Sequence, residues 1–195
     1  MESSTEPCGG KTSLALPLAA FIAQSLVNLL SPACARIEIA GSIRRRRPEV
    51  GDIEIVAQPL QRLETFTPAG ELFPKSGWHN LLDARLDELL ARDVLRKHPF
   101  DPKWGDKYRK LWQPDIGAQI DLFILTAPAE WGPAMVVRTG PADFSREMVT
   151  RLRRYKMRCE NLAIQTFDGE HVPCPDEFTF FELCGMAYVS PERRF

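Results

Sequence analysis

The sequence predicts an α+β fold, with one mixed domain as far as about residue 127 and a smaller α/β part after it. Segments with the two-residue alternation of strands and segments with the 3.6-residue periodicity of helices follow each other without regular βαβ alternation. The composition also changes at Ala127-Pro128. A length of 195 residues, with 44% hydrophobic and 26% charged residues, suits a soluble globular chain of one domain with at most a small appendage.

Periodicity and breaking residues predict the elements of the first half. Apolar residues at helical spacing end at Ser31-Pro32, because a proline disfavours helical backbone at the residue before it. Apolar and polar residues alternate on both sides of the Gly41-Ser42 turn, which predicts two strands. The predicted elements are a flexible tail over 1–13, a helix over 17–30, strands over 34–40 and 51–58, a long Pro- and Gly-rich loop over 59–77, and a helix from Trp78 to Leu90.

The second half is predicted in the same way. Asp168-Gly169 is a hairpin turn, and a helix begins near Pro141. The residues expected on the buried side of that helix are Phe144, Met148, Leu152 and Tyr155. The predicted strands are 94–100, 107–113, 117–125, 162–167 and 170–173, and a last helix covers 177–184. We therefore expect a tail over 1–13, a first domain over 14–127 and a C-terminal subdomain over 128–195.

Bulk properties restrict the function classes. The net charge is −1, so any nucleic-acid binding must use local basic patches. Five widely spaced cysteines without a C-x-x-C pair argue against a zinc site or a disulfide framework, and they favour a reduced intracellular setting, cytoplasmic or nuclear. No basic segment precedes the interrupted apolar run over 14–30, so we expect neither a secretion signal nor a membrane span. Without a coiled-coil seam, we expect a monomer.

Three carboxylates form the candidate catalytic site. Asp52 and Glu54 are two residues apart in a predicted strand, so both lie on one face while the isoleucines beside them point into the core. Asp121 stands between two apolar residues of a second predicted strand. Carboxylates that converge from adjacent strands suit Mg²⁺, and two such ions can act on the attacking and leaving oxygens of a displacement.

The segment between the two strands suggests a phosphate cradle. An Asp-x-Glu pair on a strand is usually a solvated face, and a run such as Arg44 to Arg47 is usually a solvated charge run or a nucleic-acid patch. Here the run stands between the Gly41-Ser42 turn and Gly51. Glycines let backbone N–H groups approach a phosphate, and a Ser hydroxyl and an Arg fork bind it.

Residues 41–54, G-S-I-R-R-R-R-P-E-V-G-D-I-E, resemble the signature of the DNA polymerase beta-like (family X) nucleotidyltransferases. The Q-I-D-L-F segment at Asp121 resembles the strand that carries the third carboxylate of that family. Residues 131–146 resemble the family's palm-to-thumb segment, and residues 180–192 resemble its C-terminal stretch. The resemblance implies a nucleotidyltransferase palm over 14–127, a mixed sheet with flanking helices, followed by a small thumb-like α/β subdomain over 128–195.

The resemblance also implies roles for single residues. Asp52 and Glu54 would bind both metals, and Asp121 would bind the catalytic metal and help to deprotonate the primer 3′-hydroxyl. The cofactor would be two Mg²⁺ ions, for which Mn²⁺ can substitute. The residues implied to bind the nucleotide are Gly41, Ser42, Arg45, Gly51, Arg138, Thr139, Gly140 and Ser145.

The chain departs from the family pattern at three positions. The second carboxylate is Glu54 instead of the usual Asp, which shifts the metals and predicts a modest rate. Arg138 replaces the aromatic residue before the Thr-Gly pair, which leaves the choice between dNTP and NTP open. Gln119 stands where an arginine is often found.

Two basic clusters are candidates for DNA binding. One belongs to the predicted helix near Pro141 and its exit, and the other lies beside Trp104. A solvated face is the ordinary explanation, whereas the segregation of acidic residues elsewhere favours phosphate contact along a duplex. The DNA-binding residues we expect are Arg146, Arg153, Arg154, Lys107 and Arg109.

The leading interpretation is a template-directed DNA polymerase of the gap-filling type. It would add a dNMP from a dNTP to the 3′-hydroxyl of primer-template or gapped DNA and release pyrophosphate. Two alternatives stay open. The same chemistry can act without a template on RNA, protein or an unpaired end, and a catalytically weak nucleic-acid-binding module would bind without turnover.

Overall fold

The computed structural model describes residues 13–67, 70 and 72–195, so residues 1–12 of the predicted tail lie outside the described residues. The helices are α1 (Leu16–Leu30), α2 (Gly41–Arg44), α3 (Leu81–Ala91), α4 (Trp131–Thr139), α5 (Ala142–Arg151) and α6 (Glu177–Leu183). The strands are β1 (Leu14–Ala15), β2 (Cys34–Ile39), β3 (Glu49–Val50), β4 (Ile53–Pro59), β5 (Gln61–Phe66), β6 (Lys75–Asn80), β7 (Arg96–Lys97), β8 (Tyr108–Gln113), β9 (Ala118–Ile124), β10 (Met157–Glu160), β11 (Ala163–Thr166) and β12 (His171–Val172). Short 3₁₀ turns cover Ser31–Ala33, Leu152–Tyr155 and Pro191–Arg193.

A five-stranded mixed sheet with the order β2-β4-β9-β8-β7 organises the first part of the chain. β4 and β9 run parallel, and the other neighbours are antiparallel. Helices α1 and α3 pack on one face, against fully buried residues such as Ile53, Ile55 and Leu122. The predicted α+β class, with a mixed sheet and flanking helices, is confirmed.

Helix α4 packs on the other face of this sheet, where Phe123 and Trp131 share a core cluster with Val56. The α4 segment leads into a separate core formed by α5, α6 and the small sheet β10-β11-β12. The predicted turn at Asp168-Gly169 is confirmed, since Gly169 adopts a φ of +91° between β11 and β12.

Helix α1 is apolar enough to be compared with a membrane-spanning helix. Together with the 3₁₀ turn after it, Leu16–Ala33 has the length and hydropathy of a membrane-crossing helix. Its inner side, however, contributes Ile22, Leu26 and Leu30 to the core beneath the sheet. We therefore assign α1 as a core helix of this fold.

The loop predicted over 59–77 is wrong, because this region contains the antiparallel hairpin β5-β6. The two strands pair along six positions, from Gln61 with Asn80 to Phe66 with Lys75. Leu63 and Trp78 lie opposite each other in this register and are 56% and 70% exposed. Trp78 therefore lies on a strand at the surface, and not on the core-facing side of the predicted helix.

Other predicted bounds also change. The helix predicted from Trp78 begins at Leu81, because the side chain of Asn80 accepts hydrogen bonds from the first backbone N–H groups of α3. The strand predicted over 94–100 shrinks to β7. Tyr155, expected on a buried face, is 51% exposed because the helix changes to a 3₁₀ turn after residue 151. Helix α4 had no counterpart among the predicted elements.

Candidate active site

Strand register brings the predicted carboxylates into one neighbourhood. Glu54 of β4 and Asp121 of β9 are direct partners across the parallel pair, and the residues beside each point into the opposite, apolar face. Asp52 comes immediately before β4 and interacts electrostatically with both carboxylates. Glu54 and Asp121 thus lie on adjacent strands as predicted, whereas Asp52, predicted within the strand, lies in the bend before it.

Burial and mutual repulsion change the ionisation of these carboxylates. Burial, followed by the charges of Asp52 and Asp121, raises the pKa of Glu54 to about 7, although Arg45 and Arg138 partly oppose the rise. Burial also raises the pKa of Asp121, against hydrogen bonds from neighbouring side chains. The folded site thus disfavours the charged forms of Glu54 and Asp121.

The donor set suits a hard divalent cation, because carboxylate oxygens are the preferred ligands of Mg²⁺. Among the described residues, no three His, Cys, Asp or Glu side chains already stand in an arrangement that could hold a metal ion. Metal binding by Asp52, Glu54 and Asp121 therefore stays a prediction. What supports it is the chemistry of the donors and the electrostatic interaction among the three carboxylates.

The Gly41-Ser42 turn fits closely against the carboxylates. Gly41 has a φ of +60°, and a Cβ atom there would overlap the carboxylate of Glu54. Only glycine adopts this backbone conformation without strain while leaving that space free. In contrast, a Cβ atom at Gly51 would meet nothing within 4 Å. The two glycines of the motif therefore have different structural requirements.

Arg45 connects this turn to the end of α4. Its Nη1 donates a hydrogen bond to the backbone carbonyl of Thr139. Gly140, which follows with a φ of +62°, lies so close that an added Cβ atom would stand 3.1 Å from the same guanidinium nitrogen. The structure thus brings together Arg45, Thr139 and Gly140, which are about 95 positions apart in the chain.

Several polar atoms around this contact are buried without a hydrogen-bond partner among the described residues. They are Ser42 Oγ, Arg45 Nε and Arg138 Nε. Burial lowers the pKa of both arginines, while Glu54 opposes that change. Unsatisfied buried donors are costly, and a phosphate oxygen is a partner that could accept hydrogen bonds from them.

Thr139, the partner of Arg45, lies in a segment that matches a known protein family. Residues 134–195 match the DNA polymerase beta thumb family. The match begins inside α4 and includes Thr139 and Gly140, but not the carboxylates. It relates this segment to the family X polymerases and indicates a DNA-binding, polymerase-like role. No curated protein sequence matches the chain.

A buried ion network fastens the thumb segment to the Gly-Ser turn. Arg44 donates two hydrogen bonds to the Glu177 carboxylate, at 2.9 and 2.5 Å, and a third to Thr139 Oγ1 at 2.9 Å. Arg194, whose side chain is fully buried, donates to the same carboxylate at 2.8 Å. Sequence reasoning missed this network, because its members are as much as 150 residues apart and no local pattern marks Glu177.

Two expected nucleotide contacts occupy particular positions. The Arg138 guanidinium lies over the Phe123 ring at 4.0 Å and interacts electrostatically with Glu54 and Asp121. Ser145 is 7% exposed, and its hydroxyl donates to the backbone carbonyl of Val137 at 3.0 Å. This internal hydrogen bond joins α5 to α4, and nucleotide binding by Ser145 stays a prediction.

The expected DNA-binding residues divide into two groups. Arg146, Arg153, Arg154 and Lys107 are exposed, as a phosphate contact requires. Arg109 is only 6% exposed and forms a 2.6 Å ion pair with Asp83. Burial and this ion pair make Arg109 the least accessible of the five, and its contact with DNA stays a prediction.

Proposed function

We propose that this chain is a Mg²⁺-dependent nucleotidyltransferase, acting as a template-directed DNA polymerase of the gap-filling type. Its substrates would be a dNTP and the 3′-hydroxyl of primer-template or gapped DNA, and its products a DNA longer by one nucleotide and pyrophosphate. The proposal combines three supports: the carboxylate cluster, the unsatisfied donors beside it, and the thumb match of residues 134–195.

One observation carries most of this proposal. Glu54 and Asp121 are paired across parallel strands. Arg45 interacts electrostatically with Glu54 and donates a hydrogen bond to the Thr139 carbonyl of the thumb segment. In this proposal a carboxylate site and a cationic site for phosphate meet near the start of the thumb segment. A nucleotidyltransferase needs this combination, because charge develops on both sides of the transferred phosphorus.

Each residue has a task in the proposed reaction. When bound, divalent ions would lower the pKa of the 3′-hydroxyl and neutralise charge on the leaving pyrophosphate. Asp52, Glu54 and Asp121 would hold these ions, and Asp121 would also take up the proton of the hydroxyl. The 3′-oxygen then bonds to the α-phosphorus as the bond to the bridging oxygen breaks. Arg45 and the Ser42 hydroxyl would hold the β and γ phosphates.

Primer extension tests the proposal. The full chain is incubated with Mg²⁺, a 5′-labelled primer on gapped DNA, and each dNTP or NTP alone. Asp121→Asn is the test variant, because it removes a charge with little change of shape, and Asp87→Asn, exposed on α3, is the matched control. We expect extension by the complementary nucleotide, lost in Asp121→Asn and retained in Asp87→Asn.

Other outcomes identify the alternatives. Addition of a nucleotide irrespective of the template base would favour a template-independent transferase. DNA binding without any Mg²⁺-dependent product, by wild-type and Asp87→Asn proteins that are both folded, would favour the binding module. In either case template-directed polymerisation would be rejected.

A further inference from the structure

Tyr108 reaches Asp121 from the neighbouring strand β8. Its hydroxyl donates a hydrogen bond of 2.9 Å to Asp121 Oδ1, and Gln119 Nε2 donates one of 3.1 Å to the same oxygen. Both hydrogen bonds end on Oδ1. The other oxygen, Oδ2, is therefore the one that a cation can bind without displacing Tyr108 or Gln119.

Tyr108 is itself held by packing that does not depend on Asp121. It is the cross-strand partner of Phe123, with the two rings stacked at a centroid distance of 5.2 Å and an interplanar angle of 27°. Phe123 is 8% exposed, and the Arg138 guanidinium covers it at 4.0 Å. A continuous stack thus runs from the end of α4 through Phe123 to Tyr108, and fixes where its hydroxyl points.

We infer that Tyr108 is a positioning residue for the metal-binding carboxylate Asp121. It fixes the carboxylate through Oδ1 and presents Oδ2 to the cation and the attacking hydroxyl. This inference rests on the proposed function, and it adds a residue outside the Gly-Ser and carboxylate motifs. Hydrogen bonds to a ligating carboxylate set its orientation, and their loss weakens metal binding by about 10- to 100-fold.

If the Tyr108 hydrogen bond only stabilised the fold, loss of the hydroxyl would have a different effect. Burying a hydroxyl with a partner contributes to folding, so its removal would lower stability and leave the affinity for a metal unchanged. The Tyr108–Asp121 hydrogen bond lies at the edge of the sheet core, with both residues only partly buried. Metal affinity measured on the folded protein therefore separates positioning from structural support.

Tyr108→Phe is the decisive variant, because it keeps the ring that stacks on Phe123 and removes only the hydroxyl. Binding of Mn²⁺ to the full chain, without nucleotide or DNA, is measured by electron paramagnetic resonance of the free ion. We expect the dissociation constant to rise about 10- to 100-fold. Tyr155→Phe, on a half-exposed tyrosine of the thumb segment, is the matched control and should bind Mn²⁺ as the wild type does.

Gln119→Met provides a second variant if Tyr108→Phe fails to fold. It removes the other donor to Oδ1, and we expect weaker Mn²⁺ binding here too. Wild-type affinity in a folded Tyr108→Phe protein, or in a folded Gln119→Met protein where the first cannot be measured, overturns the inference.

Asp52→Asn separates this inference from the proposed function. If Asp52→Asn loses Mn²⁺ binding while Tyr108→Phe keeps it, the metal site stands and the positioning role is rejected. If the wild type binds no Mn²⁺, or binds it as well after Asp52→Asn, the proposed metal site fails and the inference fails with it.

Discussion

At the scale of single residues, Glu54 links pH to stability. Its pKa is about 7 in the folded protein and 4.5 as the ordinary value, so between these pH values the folded state binds more protons than the unfolded state. The metal-free protein should therefore lose stability as the pH rises from 4.5 to 7, by at most about 3 kcal/mol for this group. Glu54→Gln should flatten this dependence in urea unfolding with EDTA. Parallel pH profiles for the variant and the wild type would contradict this.

Gly41 offers a second prediction at the same scale. Gly41→Ala places a Cβ atom in a left-handed backbone position and against the Glu54 carboxylate, so we expect a loss of about 1–3 kcal/mol in the free energy of unfolding. Gly51→Ala is the matched control within the same motif, since open space surrounds that position. Chemical denaturation checks both variants. Equal losses at the two glycines would show that the turn does not need glycine at 41.

At the scale of elements, the ion network on Glu177 joins α2 and α6. Glu177→Gln would leave the buried Arg194 without its counter-charge, and breaking a buried pair in this way costs about 3–5 kcal/mol. Glu182→Gln, exposed on the same helix, should change stability by no more than about 0.5 kcal/mol. Urea unfolding of both variants measures the difference. A loss in Glu177→Gln no larger than in Glu182→Gln would mean that the network does not hold these elements together.

The strands show which features of the fold can be predicted from the sequence. Alternation along each strand predicted a polar and an apolar face for β4 and β9, but the register that makes Glu54 and Asp121 direct partners comes from the structure. The hairpin β5-β6 was missed, since Pro and Gly in its turn masked the apolar residues on either side. The contacts of Arg44, Arg109 and Ser145 depend on tertiary packing between distant segments, which no local pattern encodes.

At the scale of the whole molecule, a chain with a net charge of −1 must bind DNA through local patches. Arg153 and Arg154 are exposed next to α5, so a variant with both changed to Gln should bind DNA more weakly, with a slope of log affinity against log salt reduced by about 2. Arg92→Gln, on the exposed residue that follows α3 and pairs with Glu88, is the control. Fluorescence anisotropy at several salt concentrations measures the slopes. An unchanged slope in the double variant would place the DNA elsewhere.

Nucleotidyl transfer at the carboxylate site requires that one pyrophosphate is released for each nucleotide joined to the DNA. Nucleotide incorporation into gapped DNA and pyrophosphate release are measured in the same reaction, with the wild type and Asp121→Asn. We predict one pyrophosphate for each nucleotide added by the wild type, and neither product from the variant. Release of phosphate in place of pyrophosphate, or undiminished incorporation by Asp121→Asn, would contradict the claim.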